Sequence, residues 1–230
     1  MFETDKAQEF ELNCHIGYCM NNFYNFFNQL ENDKLKFAEL DSQNLSLRWE
    51  HNFFNGDLEK IQLFIDHIKG KSSLDIGCGC IPWTKDTYNV KRQIAIDPLL
   101  SRYKEFEDKA FGTSFFENFE THSIPAEHCV ESLVGEIDGY IMCRNTIDHS
   151  EDPLSILNIM SKYAAPGCYV LFWADIWHHD GGDVGHHSIT KSPEIMDSIF
   201  KGLGFKKLVT MNSIRSSDTF IDYGGVFVKE

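Results

Sequence analysis

Short apolar runs alternate with amphipathic stretches over most of this chain. The segments S-S-L-D-I-G (72–77), Q-I-A-I-D (93–97), D-G-Y-I-M-C (138–143) and C-Y-V-L-F-W-A (168–174) have the length and apolar continuity of strands buried on both faces. Between Gly56 and Gly70, apolar residues recur at Leu58, Ile61, Phe64, Ile65 and Ile68, the spacing of one buried helical face ended by a glycine. A second helix is predicted from E-D-P-L-S-I-L-N-I-M-S-K-Y-A, which opens with a proline in its first turn and stops at Pro166-Gly167. A third follows in S-P-E-I-M-D-S-I-F-K-G-L-G-F, and K-K-L-V-T-M and G-G-V-F-V-K give two terminal strands. Residues 1 to 55 carry aromatics at Phe23, Tyr24, Phe26 and Phe27 and are read as a helical cap. The alternating order predicts an open, three-layer α/β sheet, mostly parallel, with residues 56–230 as its core.

Length and composition narrow the class. A chain of 230 residues suits one domain with one substantial core, and no repeat or linker marks a second. No apolar run approaches the roughly 20 residues of a membrane span. The opening M-F-E-T-D-K-A-Q-E-F is acidic where an export signal would be basic and then apolar, so a cytoplasmic protein is expected. A formal net charge of −14 repels a phosphate backbone and argues against nucleic acid as partner. The seven cysteines contain no C-x-x-C pair, which predicts reduced thiols with neither a disulfide framework nor a zinc site. Nothing in the sequence sets the oligomeric state.

The strongest chemical signal is L-D-I-G-C-G-C-I-P-W, residues 74–83, directly after the first predicted strand. Glycines at the C-terminal end of a parallel strand let a ligand approach the backbone. A dinucleotide loop would need a third glycine where Pro82 stands. A carboxylate two residues before the first glycine, Asp75, suits a cationic ligand better than a pyrophosphate. Asp97, at the end of the next strand, is placed to accept hydrogen bonds from ribose hydroxyls.

Here the sequence resembles the class I S-adenosylmethionine-dependent methyltransferases, whose first motif is an acidic residue followed by x-G-x-G-x-G. Asp75, Gly77 and Gly79 match it, and Ile81 stands at the last glycine. The resemblance implies a Rossmann-like fold with a seven-stranded sheet and helices on both faces. It also implies S-adenosylmethionine as cofactor, with Asp97 on its ribose. The segment S-I-P-A-E-H-C-V resembles the adenine region of the ubiquinone-biosynthesis type, which carries over to Ala126 and Glu127; Pro125 replaces the usual aspartate. C-R-N-T-I-D-H-S-E-D-P resembles the strand-four exit, so Cys143, Arg144 and Asn145 are expected beside the cofactor's methionine part.

For methyl transfer to a hydroxyl, a positioned base helps, and histidine titrates in the useful range. His149, just past the fourth motif, is the first candidate. A glycine-rich run, A-D-I-W-H-H-D-G-G-D-V-G-H-H-S-I-T, follows the 168–174 strand and supplies His187 and His186 as acceptor contacts or base. A divalent metal site in this run is an alternative, although its spacing matches no ligand motif. The expected acceptor is a small polar molecule, with a sugar or surface-polysaccharide precursor the specific guess. A catalytically silent cofactor-binding module stands as the alternative, motivated by Ile81 and Pro125, and a nicotinamide oxidoreductase is disfavoured by Pro82.

Overall fold

A computed structural model describes residues 52–80, 82–84, 89–111, 114–178, 188–212, 216 and 220–230. Seven strands form one sheet: β1 Ser72–Ile76, β2 Arg92–Ile96, β3 Phe119–His122, β4 Tyr140–Arg144, β5 Tyr169–His178, β6 Phe205–Thr210 and β7 Phe220–Lys229. Their order is β3-β2-β1-β4-β5-β7-β6. The pairings from β3 across to β5 are all parallel, while β7 runs antiparallel to both β5 and β6. The helices are α1 Leu58–Ile68, α2 Leu100–Phe111, α3 Pro153–Tyr163 and α4 Pro193–Gly202. Parallel neighbours need crossovers, and α3 supplies the one from β4 to β5.

Alternation along the strands sends side chains to two cores. On one face Leu74, Ile141, Val170 and Phe227 pack with Ile156 and Met160 of α3 and Phe200 of α4. On the other face Tyr140, Met142, Leu171 and Val226 meet Ile61, Phe64, Ile65 and Ile68 of α1. Ala95 packs with Leu100 and Tyr103 of α2 beside them. Two helices start on a capping carboxylate: Asp57 caps α1 by accepting from Lys60 N (3.1 Å), and Asp152 caps α3 by accepting from Ser155 N (3.1 Å). Among the described residues no helix is long and apolar enough to cross a membrane.

The structure departs from the sequence reading in four respects. Leu58 sits on the exposed side of α1, whereas the other four periodic residues are buried. Helix α2 was not expected, because the buried stripe of Leu100 and Tyr103 continues into the buried Glu107. The Glu107 carboxylate accepts from Phe115 N (2.9 Å) and the Ser114 hydroxyl (2.8 Å). Strand β3, F-E-T-H, is half-buried throughout, so it has no apolar run to announce it. Finally, Cys80 is disulfide-bonded while Cys78, Cys129, Cys143 and Cys168 are free. This corrects the expectation of reduced thiols: pairing follows closeness in space, which spacing along the chain does not reveal. Almost all of the predicted helical cap, residues 1–51, lies outside the described residues.

Phe64 is fully buried and meets Phe54, Tyr140 and Tyr169 at ring-centroid distances of 5.4, 5.4 and 5.5 Å. Phe64→Ala leaves a cavity between α1 and the sheet and is expected to cost about 3–5 kcal/mol, read as a lowered midpoint in urea unfolding.

Candidate functional site

The C-terminal ends of β1, β2 and β4 meet at one edge, because Ile76 lies in register with both Ile96 and Cys143. Open parallel sheets place ligands at this edge, where the chain reverses direction on either side of the first strand. Residues 77–91 connect β1 to β2. Gly77 and Gly79 both adopt left-handed backbone, with φ of +65° and +61°. At Gly77 the requirement is also steric: a Cβ there would lie 2.1 Å from Thr146 Cγ2. The Thr146 hydroxyl donates toward the carbonyls of Ile76 (3.2 Å) and Arg144 (2.9 Å), stitching the end of β1 to the end of β4.

Two buried carboxylates bracket the loop. Asp97 Oδ2 accepts from Gly79 N (3.0 Å) and its Oδ1 from Leu99 N (2.8 Å). Burial raises its pKa to about 6, against the lowering effect of those two amides. Asp75 Oδ2 accepts from Thr84 N (3.2 Å), whereas its Oδ1 is buried with no hydrogen-bond partner. Burial raises Asp75 to about 7, opposed by backbone amides of Thr84 and Trp83 and by the Arg144 guanidinium, and reinforced by Asp97. An ammonium group at Asp75 Oδ1 would supply both the missing hydrogen bond and the missing charge. Asp97 keeps two lone-pair sites beyond its amide partners, enough for a pair of hydroxyls.

Cys143 and Arg144 stand at the β4 end of the same edge. Ala126 is buried in the core beneath the loop that leads to β4, and Glu127 accepts from the Ser150 hydroxyl. Cys143 is fully buried with its side chain in the α3 face of the core, and burial raises its thiol far above the ordinary value. Asn145 is exposed, in left-handed backbone at φ +49°, and its N–H donates to the Trp173 carbonyl (2.7 Å). Arg144 Cζ stands 3.9 Å from the Trp83 ring centroid and 5.3 Å from that of Trp173. His149 closes a short 3-10 turn, Ile147–His149, with Nε2 3.6 Å from Oδ2 of the fully buried Asp148. His186 and His187 lie outside the described residues. Among the described residues no group of three or more His, Cys, Asp or Glu side chains comes together as a metal site.

Sequence reasoning missed Thr146, Ser150 and the two tryptophans. A hydroxyl residue two positions past the end of strand four was the available signal for Thr146. The tryptophans, 90 residues apart in Trp83 and Trp173, are joined only by the fold.

No protein-family model matches the sequence, and no curated protein matches it. Solved structures do. A SAM-dependent methyltransferase from Aquifex aeolicus is 18% identical, with 84% of this chain aligned to 97% of that one at a TM-score of 0.50. A protein described as a sarcosine dimethylglycine methyltransferase, from Galdieria sulphuraria, is 14% identical over 75% of this chain and 83% of its own, at a TM-score of 0.56. The trans-methyltransferase CalH, in complex with SAH, is 13% identical over 74% of this chain and 55% of its own, at a TM-score of 0.51. The chain therefore has the Rossmann-like fold of the class I S-adenosylmethionine-dependent methyltransferases.

Two expected outcomes follow from this geometry. Gly77→Ala combines the left-handed penalty of about 1–2 kcal/mol with the Thr146 collision, and pairing it with Thr146→Gly is expected to recover part of the lost stability in thermal melts. For pH, a carboxyl whose folded pKa is raised binds more protons folded than unfolded. Its stabilising contribution is complete below the unfolded value near 3.8 and is lost as pH rises through about 6 for Asp97 and about 7 for Asp75. The melting temperature of the protein alone is thus expected to fall between about pH 4 and about pH 7, with a flatter profile in Asp75→Asn.

Proposed function

We propose that this protein is an S-adenosylmethionine-dependent methyltransferase acting on a small polar acceptor. The observation that carries this reading is Asp75. It is a buried carboxylate with one unpartnered oxygen, at the end of β1 and directly before two left-handed glycines. That arrangement suits a cationic, nucleoside-bearing ligand and would be unfavourable beside a pyrophosphate. The fold shared with the solved methyltransferases, one of them complexed with SAH, supports the same cofactor.

S-adenosylmethionine, when bound, supplies a methyl group already activated for displacement, so the protein's work is alignment and exclusion of water. In this reading Asp75 takes the cofactor's ammonium and Asp97 its ribose hydroxyls, while Gly77 and Gly79 admit it to the backbone. Ala126 and Glu127 line the adenine. Cys143, Arg144 and Asn145 border the methionine part through backbone groups, which accords with the buried thiol of Cys143 and the Arg144 carbonyl's bond to Thr146. His149 receives the proton of an acceptor hydroxyl on its imidazole, with His187 and His186 as further acceptor contacts. A sugar or polysaccharide precursor is the acceptor class we would screen first.

Calorimetric titration with S-adenosylmethionine and S-adenosylhomocysteine, run beside NAD, tests the assignment. Affinity on the order of micromolar for the first two and none for NAD is expected, with Asp97→Ala weakening both by more than about tenfold while the melting temperature holds. Binding of NAD alone would overturn the reading.

A further inference from the structure

The chain that leaves β3 turns tightly at residues 125–128, where His128 N donates to the Pro125 carbonyl (3.0 Å). Pro125 offers neither an N–H nor a polar side chain, Ala126 is buried in the core, and His128 is exposed. Glu127 is therefore the polar side chain of this turn that is held partly out of water. Its Oε1 accepts from the hydroxyl of Ser150, in the loop between β4 and α3. In the sheet β3 and β4 are separated by β2 and β1. The bond thus joins the two loops that flank the strand ends carrying Gly77, Gly79 and Asp97.

Ser150 is built as a fixed donor. It is buried, its own N–H donates to the Ile147 carbonyl (3.2 Å), and its Oγ accepts from Asp152 N (3.0 Å). A hydroxyl has one proton to give, and with an amide hydrogen directed at its lone pair that proton goes to Glu127. Asp152 in turn caps α3, so the anchor belongs to the first turn of a packed helix. A glutamate side chain left to itself samples many rotamers. Holding one of its oxygens fixes where the other, Oε2, stands, and a carboxylate oxygen accepts hydrogen bonds without donating them.

Resting on the methyltransferase reading, in which Glu127 lies along the cofactor's adenine, we infer that Ser150 is a positioning residue that aims Glu127 at the exocyclic amine of the base and so sets a preference for adenine over hypoxanthine. Adenine carries a donor at that position, whereas hypoxanthine carries a carbonyl, which accepts. A fixed carboxylate oxygen is matched by the first and repels the second. Sites built around such a bond reject the wrong partner firmly, provided the side chain cannot swing away. Ser150 acts only through Glu127, by restricting its orientation.

Calorimetric titration with S-adenosylhomocysteine and with S-inosylhomocysteine, its hypoxanthine counterpart, reads the preference as a ratio of affinities. Wild-type protein is expected to prefer the adenine ligand at least about tenfold, and Ser150→Ala to lower that ratio about three- to tenfold, with Ser150→Thr, which keeps the hydroxyl, restoring it. Glu127→Gln gives a sharper outcome. The Ser150 proton selects the amide oxygen, so the amide nitrogen takes the place of Oε2, and the preference is expected to turn toward the hypoxanthine ligand. Adding Ser150→Ala to Glu127→Gln frees the amide to flip and is expected to abolish the reversal. If Ser150→Ala does not fold, Glu127→Gln alone decides: a reversed preference supports the inference and an unchanged one overturns it. A ratio left unchanged by Ser150→Ala, with both affinities falling together, would mark Ser150 as structural and overturn the inference, as would equal affinity of the wild type for the two ligands. Wild-type protein that binds neither ligand would instead overturn the methyltransferase reading, and the inference with it.

Discussion

The site depends on two carboxylates kept out of water without a salt-bridged cation. Asp75 and Asp97 end adjacent strands, and their chief hydrogen-bond partners are backbone amides of the segment that follows each strand. A buried charge held in this way is expensive, and burial drives both groups toward protonation. The expense makes sense at a site that a cationic ligand completes, because the unfavourable charge becomes favourable on binding. The rest of the local structure serves this arrangement. Left-handed glycines bring the amides into reach, and Thr146 fills the space a side chain at Gly77 would take. Parallel pairing of β1 with both β2 and β4 fixes where the strands end.

Much of this was legible in the sequence because the responsible signals are short-range. The glycine loop declares itself through residue types that only a special backbone requires, four of the seven strands contain continuous apolar runs, and shorter runs mark β6 and β7. The bounds of α1 and α3 are set by a glycine or proline within a few residues of each helix. What stayed hidden depends on distance along the chain or on a polar residue in an apolar role. Glu107 interrupts the stripe of α2 because it satisfies a turn seven and eight residues away. Strand β3 stands at the sheet's rim and is polar because only part of it needs covering. The contacts of Arg144 with Trp83 and Trp173 exist only once β4 and β5 are paired. Cys80 likewise became identifiable as a disulfide cysteine only in three dimensions.

The rims of the sheet have a consequence for association. At one rim β3 is four residues long and ties Glu120 to Arg92 of β2 and to His122. At the other, β6 buries Phe205 and Val209 and sets the exposed Lys206 and half-buried Lys207 between them. Short strands and edge lysines are the features that discourage another chain from adding to a sheet. Among the described residues, then, both rims of the sheet carry features that turn away an eighth strand, so the same residues that finish the fold also guard its open edges.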